Sequence, residues 1–227
     1  MLVLGLSAPA MLASVPPAPA ATAVPARATG AAPGAPGVQQ PLLPADKSGF
    51  GTSATTRSKV WFTVQRSGGL GETFYPDLGT PAARSLQLLV QERPGHVVRA
   101  GEAADVSTRQ VTRDALVFAQ SYRARSGSWT ITTVTVTDPA RASVLVRVQV
   151  KSRDGAPHPV WVVNDPALSN TRDDDSGATR GRVLVAADPL AASALAASPP
   201  FQATSNGFRG TTSDGEEDLL AGRRRQR

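Results

Sequence analysis

The sequence predicts an all-β fold, an antiparallel β-sandwich, and three features carry that expectation. From Val60 onward, runs rich in β-branched and aromatic residues recur at short intervals between turn residues. Within Ser143–Lys151, Val144, Val146, Val148 and Val150 share one face, while Arg147, Gln149 and Lys151 share the other. Period-2 alternation of this kind sets one side on a core and the other towards water. Segments with helical composition are few.

The strands follow in order. Val60–Gln65 meets Glu72–Tyr75 across Ser67-Gly68-Gly69-Leu70-Gly71, where glycine supplies the positive φ of a tight hairpin. Ser85–Gln91, Val106–Thr112 and Ala115–Arg125 come next. Ser128–Thr137 and Ser143–Lys151 flank Asp138-Pro139-Ala140-Arg141, which has the chemistry of a turn. Val160–Val163 and Val183–Ala187 complete the set. Leu190–Ala197 has helix-forming composition, stopped by Pro199 and Pro200. Ser213–Leu220 reads as a short helix with Ser213 as cap and Glu216 three positions on.

A chain of 227 residues, 41% hydrophobic and 19% charged, is long enough to bury a sizeable core. It has no cysteine, which excludes disulfides and thiolate metal sites. Met1–Val15 is apolar and uncharged, and Ala18-Pro19-Ala20 has the small-x-small form of a signal-peptidase site. Residues 1–20 are therefore expected to be a signal peptide and the chain to be secreted, although the basic residues that usually open a leader are missing. Residues 21–45, dominated by Ala, Pro and Gly, are expected to be a linker. The folded domain is expected over 46–220, followed by a basic, solvated tail at 221–227.

Arg223, Arg224, Arg225 and Arg227 carry four of the six units of net positive charge, so residues 1–222 are nearly neutral at +2. No stripe of basic residues interleaved with aromatics remains, and no nucleic-acid partner is expected. Met1–Val15 is too short and too soon broken by Pro16 and Pro17 to span a bilayer, so no membrane partner is expected either.

Chemistry-bearing motifs are sparse. His96 and His158 sit in turn-like settings without metal-ligand spacing and read as surface or turn histidines. There is no nucleophile elbow, and Gly68-Gly69-Leu70-Gly71 lacks the Lys-Ser/Thr of a phosphate loop. Asp173, Asp174 and Asp175 concentrate hard oxygen ligands in one loop, which is the chemistry of a Ca²⁺ site. Three consecutive carboxylates cannot all turn to one ion without strain, and a solvated turn is the competing reading. No other cofactor is expected.

Several segments, in order, resemble the N-terminal domain of bacterial glucodextranases and glucoamylases of glycoside hydrolase family 15. They are Asp46-Lys47-Ser48-Gly49-Phe50-Gly51-Thr52, Lys59-Val60-Trp61-Phe62, and Gly71-Glu72-Thr73-Phe74-Tyr75-Pro76 onward to Pro81. Val136–Arg141, Asn164–Asn170, Ser193–Phe201 and Gly207–Gly215 continue the match. The resemblance implies a large antiparallel super-β-sandwich, similar to galactose mutarotase, packed against an (α/α)₆ barrel that holds two catalytic glutamates. No residue here matches those glutamates, so no catalytic residue carries over and the chain is expected to be truncated before the barrel. The expected role is non-catalytic, with the barrel as partner and α-glucan as a second expected partner. Two alternatives stay open: an independent secreted carbohydrate-binding module, or a mutarotase-like sugar enzyme. Trp61, Trp129 and Trp161 all lie in strands, where core packing is their expected job.

Overall fold

The computed structural model describes residues 30–37, 45–170 and 174–223. The expected leader at 1–20, much of the linker and the tail beyond 223 lie outside the described residues. Strands β1 (Gly30–Ala31), β2 (Lys47–Thr52), β3 (Trp61–Gln65), β4 (Leu70–Phe74), β5 (Pro81–Arg93) and β6 (His96–Arg99) lead into the one-turn helix α1 (Ala100–Ala103). Then come β7 (Ala104–Thr112), β8 (Ala115–Ala124), β9 (Trp129–Thr137), β10 (Val144–Ser152) and β11 (Val160–Pro166). A short 3₁₀ turn, β12 (Ser176–Arg180), β13 (Val183–Ala187), β14 (Ala192–Leu195) and helix α2 (Gly215–Leu220) complete the chain.

Two antiparallel sheets form the sandwich. One has the order β11-β5-β4-β3-β2, with β6 added to β5, and the other has the order β10-β9-β8-β7. A smaller sheet, β1-β12-β13-β14, stands beside them. The expectation of an antiparallel all-β sandwich holds. Among the described residues no helix is long and apolar enough to cross a membrane.

The sandwich closes because each inner face presents apolar residues at period 2. On β9, Trp129 and Ile131 are fully buried and pack with Tyr122 and Ala124 of neighbouring β8 and with Leu88 and Val90 of β5 in the facing sheet. A second cluster joins Phe62, Val64 and Leu70 to Phe118, with Leu86, Val144 and Val146 packed against it. Phe62 meets Phe118 edge-on at 6.2 Å between centroids. Each such side chain gains about 1.5–3 kcal/mol from burial. Two glycines let β2 come this close. A Cβ on Gly49 would stand 2.7 Å from the Phe118 ring, and one on Gly51 would overlap the Phe62 ring.

Several polar groups inside the sandwich pair with one another, although Gln65 Nε2 finds no partner. The Tyr122 hydroxyl accepts from Gly69 N at 2.6 Å and donates to Gln120 Oε1 at 3.1 Å, while Gln120 Nε2 donates to the Gln65 carbonyl at 2.8 Å. These bonds fasten the expected β3–β4 hairpin, with Gly68 and Gly69 at positive φ, onto the facing sheet.

The structure departs from the expectations at several points. Leu190–Ala197 is not a helix, because Ala192–Leu195 pairs with β13, and ladder bonds override the helix preference of alanine. The segment expected as linker contributes β1, which pairs with β12, so ordered structure begins before residue 46. Lys47–Thr52, His96–Arg99 and Ser176–Arg180 are further strands that lack apolar alternation. The valines of β10 do face inward, opposite Ile131, Thr133 and Thr135, but β10 is an edge strand and Val148 and Val150 stay 37% and 39% exposed. Only Trp129 is a core tryptophan; Trp61 and Trp161 are half-buried.

His158 is not a surface residue. Its side chain is 1% exposed, with Nδ1 2.9 Å from the Gln91 carbonyl and Nε2 3.0 Å from Asp154 Oδ1. Both nitrogens face acceptors, so the protonated ring is the fitted form. Burial opposes that charge, but bonds to Gln91, Asp154 and Ser128 outweigh it and hold the pKa above the ordinary 6.5. The resulting stabilisation is fully present below pH 6.5 and is lost as pH rises through the folded-state pKa. Thermal melts should show Tm falling as pH rises above 6.5, and His158→Gln should flatten that slope. An unchanged slope in the variant would assign the effect elsewhere.

Candidate functional site

The charged residues of two separated motifs meet on one side of the sandwich. Asp165, near the end of β11, receives Arg84 Nε of β5 at 2.5 Å and Arg209 Nη1 at 2.9 Å on the same oxygen. Arg209 Nη2 stands 3.6 Å from Glu216 Oε2. Glu216 Oε1 in turn accepts from Arg99 Nε of β6 at 2.7 Å, and Arg99 Nη2 reaches Glu217 at 3.2 Å. One chain of alternating charges thus runs from β5 through β11 and the C-terminal segment to β6. Arg84 and Glu216 are only 5% and 8% exposed, so their charges rely on these partners. Desolvation pulls on the Arg99 guanidinium, but Glu216, Glu102 and Glu217 outweigh it and raise its pKa.

The same segment is locked locally. Asp214, not Ser213, caps α2, with Oδ1 accepting from Glu216 N at 3.1 Å and Glu217 N at 3.2 Å. Its Oδ2 takes Gly210 N at 2.7 Å. A carboxylate serves all three donors, whereas Ser213 Oγ is engaged by Phe208 N at 3.0 Å. Glu216, Glu217 and Asp218 fill the first turn, where the helix dipole favours negative charge. Arg223 of the expected basic tail pairs with Asp218 at 3.2 Å, so the order extends past residue 220.

Of the expected Ca²⁺ ligands, Asp173 lies outside the described residues. Asp174 and Asp175 are joined by Asp188 of the β13–β14 turn, with ligand oxygens of all three within 4.8 Å of one another. Asp188 therefore supplies the third direction that consecutive residues could not. Three carboxylates are still fewer than the 6–8 oxygens Ca²⁺ takes, and the rest would have to come from carbonyls or water. Two of the three are already engaged by backbone. Asp175 Oδ2 accepts from Leu168 N at 3.0 Å, and Asp188 Oδ1 accepts from Leu190 N at 2.7 Å and from Ala191 N. Burial, with Asp188, Asp174 and Asp165 nearby, pushes Asp175 up to about 6. Desolvation also pushes on Asp188, yet hydrogen bonds from Ser169, Ala191 and Leu190 prevail and hold it below the usual range.

Sequence reasoning quoted Asp165 and Arg209 within motifs but gave them no role, took Glu216 only as the partner of a Ser213 cap, and missed Arg84, Arg99 and Asp188. Nothing along the chain reveals a pair 44 residues apart such as Arg209 and Asp165.

Asp165→Ala should lower stability by about 3–5 kcal/mol in urea unfolding, because it takes the carboxylate from between two guanidiniums, one of them buried. Arg209→Ala, at a site 35% exposed, should cost only about 1 kcal/mol. Asp175 tests a different balance. Its raised pKa means that stability is lost as pH rises from 3.8 through about 6. In chelator, Asp175→Asn should therefore melt higher than the parent at pH 7 and converge with it near pH 4. A lower Tm at pH 7 would refute burial as the cause.

The model of the family described as glucodextranase, domain N, matches residues 32–226. A glucoamylase of Clostridium sp. (strain G0005) is 25% identical over 137 residues, which is 60% of this chain and 19% of that protein. The crystal structure of a bacterial glucoamylase complexed with acarbose shares the fold, with a TM-score of 0.70 at 21% identity. That match covers 88% of this chain and 30% of the other, so the chain spans less than a third of either relative. With the family model matching across the sandwich and the C-terminal clamp alike, the chain belongs to the glucodextranase domain N family.

Proposed function

We propose that this domain is the non-catalytic N-terminal sandwich of a secreted glucan-hydrolysing enzyme of glucoamylase or glucodextranase type. Its work is to pack against an (α/α)₆ catalytic domain and to hold the chain that leads from one to the other. The ion-pair clamp carries this reading. Asp165 and Arg209, from motifs that resemble the family's, and Glu216 are spent on fastening residues 207–223 to β5, β6 and β11, while Asp214 locks that segment internally. Glycoside hydrolysis needs one carboxyl that holds a proton and a second that attacks or activates water across the bond. Asp165 and Glu216 each accept from guanidinium groups instead. Asp175 has a raised pKa, but its carboxylate accepts from the backbone N–H of Leu168 at the start of the 3₁₀ turn.

A second reading has one observation in its favour. Phe50 on β2 and Tyr75 just after β4 are 42% and 41% exposed, with β3 between their strands, and exposed aromatics are stacking platforms for sugar rings. The purified chain is expected to release no glucose from starch or dextran above a mock preparation. Release at any level that tracks the protein through purification would overturn the non-catalytic reading. Affinity electrophoresis in soluble starch addresses the second reading: retardation abolished by Phe50→Ala and Tyr75→Ala would establish a binding module.

A further inference from the structure

The segment whose composition marks it as a linker is where the two ends of the described chain meet. Residues 30–37 read Gly-Ala-Ala-Pro-Gly-Ala-Pro-Gly. They begin on the edge of β12 that β13 leaves open and continue onto the C-terminal segment. Gly30 and Ala31 stand opposite Thr179 and Ala178, and Ala32 N donates to the Gly177 carbonyl at 2.7 Å. Asn206 reaches both sides of this joint. Its Nδ2 donates to Thr179 Oγ1 at 2.7 Å and to the Gly30 carbonyl at 3.4 Å. Further on, a Cβ on Gly37 would stand 2.8 Å from Thr211 Cγ2 and 3.4 Å from the Arg209 carbonyl. Thr211 cannot swing aside freely, because its hydroxyl is bonded to the Phe208 carbonyl at 2.6 Å.

We propose that residues 30–37 are a docking strap rather than a spacer, and that its seating sets the order of the C-terminal clamp. Pro33 and Pro36 fix φ at two of the eight positions, so less conformational freedom is lost when the strap seats. Gly37 admits the Thr211 turn at a distance that excludes a side chain, and Gly34, at a φ of 90°, lies near Ser213. The coupling follows from residues that serve both structures. Arg209, whose carbonyl faces Gly37, is the cation that joins Asp165 to Glu216. Asn206, which holds Gly30, stands just before the segment that the clamp fastens. With the strap seated, the turn that aims Arg209 is held from outside as well as by its own bonds to Ser213 and Asp214. With the strap lifted, Asn206 loses one acceptor, the edge of β12 is uncovered and the Arg209 turn loses a wall. Most residues of the strap are exposed, so it can lift without opening either core cluster.

Hydrogen exchange of the full-length chain, read by mass spectrometry, tests both halves of the proposal. In the parent, residues 30–34 and 206–214 should exchange more slowly than unstructured peptides of the same sequence. Gly37→Val drives a side chain into Thr211 and should speed exchange in both segments by about tenfold, as local opening does. Ala32→Pro removes the N–H that reaches Gly177 and should reproduce the effect from the other end of the strap. Ala35→Val adds the same kind of bulk at an exposed position of the strap and should change neither segment. Exchange in β9 should keep the parent rate in all three variants, which separates lifting of the strap from unfolding. The proposal is overturned if residues 30–34 of the parent exchange like the free peptide. It is equally overturned if the strap loosens while 206–214 keeps the parent rate, or if the loosening spreads equally to β9.

Discussion

The close approach of β2 to the facing sheet is the constraint on which the rest of the molecule depends. Gly49 and Gly51 have no side chain, and the rings of Phe118 and Phe62 occupy the space a Cβ would need. With that space filled by aromatic carbon, the second core cluster forms and carries Val144 and Val146 of β10 with it. The Tyr122–Gly69–Gln120 bonds then fix the β3–β4 hairpin against the same sheet. Burial pushes the Tyr122 phenol up to about 12, so this fastening stays neutral across the physiological range. Apolar contact sets the spacing of the sheets, and hydrogen bonds set their register.

Electrostatics works at the other side of the molecule and for a different purpose. The clamp from Arg84 to Glu217 adds little to the sandwich core; it holds residues 207–223 in place. Buried ion pairs are a poor way to gain net stability, because desolvation offsets most of the attraction. They are a good way to specify a single geometry, since any displaced carboxylate leaves a guanidinium short of a partner. The N-terminal segment joins this arrangement: Gly37 lies against Thr211, and Gly34 near Ser213. Both ends of the described chain therefore gather at one place.

How much of this the sequence disclosed depended on the kind of force involved. Strands rich in β-branched and aromatic residues, such as β3, β8, β9 and β13, were legible almost to the residue, and in β9 the burial itself alternates. β2 and β12, with glycine and polar residues, became strands because neighbouring ladders left their backbone no other partners. β14 shows the same override against a composition that favours helix. The start of α2 was legible to within two residues, but the choice of Asp214 over Ser213 turned on which oxygen reached three donors at once. His158 looked like a surface or turn residue, yet the carbonyl of Gln91, 67 positions away, closes over it. Long-range polar pairings carry no periodicity, and the clamp and the Asp188 contribution were invisible for that reason.

The thirteen residues of β5 have a mechanical consequence. It is the most extensively laddered strand, bonded to β11 along one side and to β4 and β6 along the other. The two ends of the clamp grip β11 at Asp165 and β6 at Arg99, which are neighbours of β5. A load on residues 207–223 is thereby shared among three mutually laddered strands rather than left to the short terminal helix.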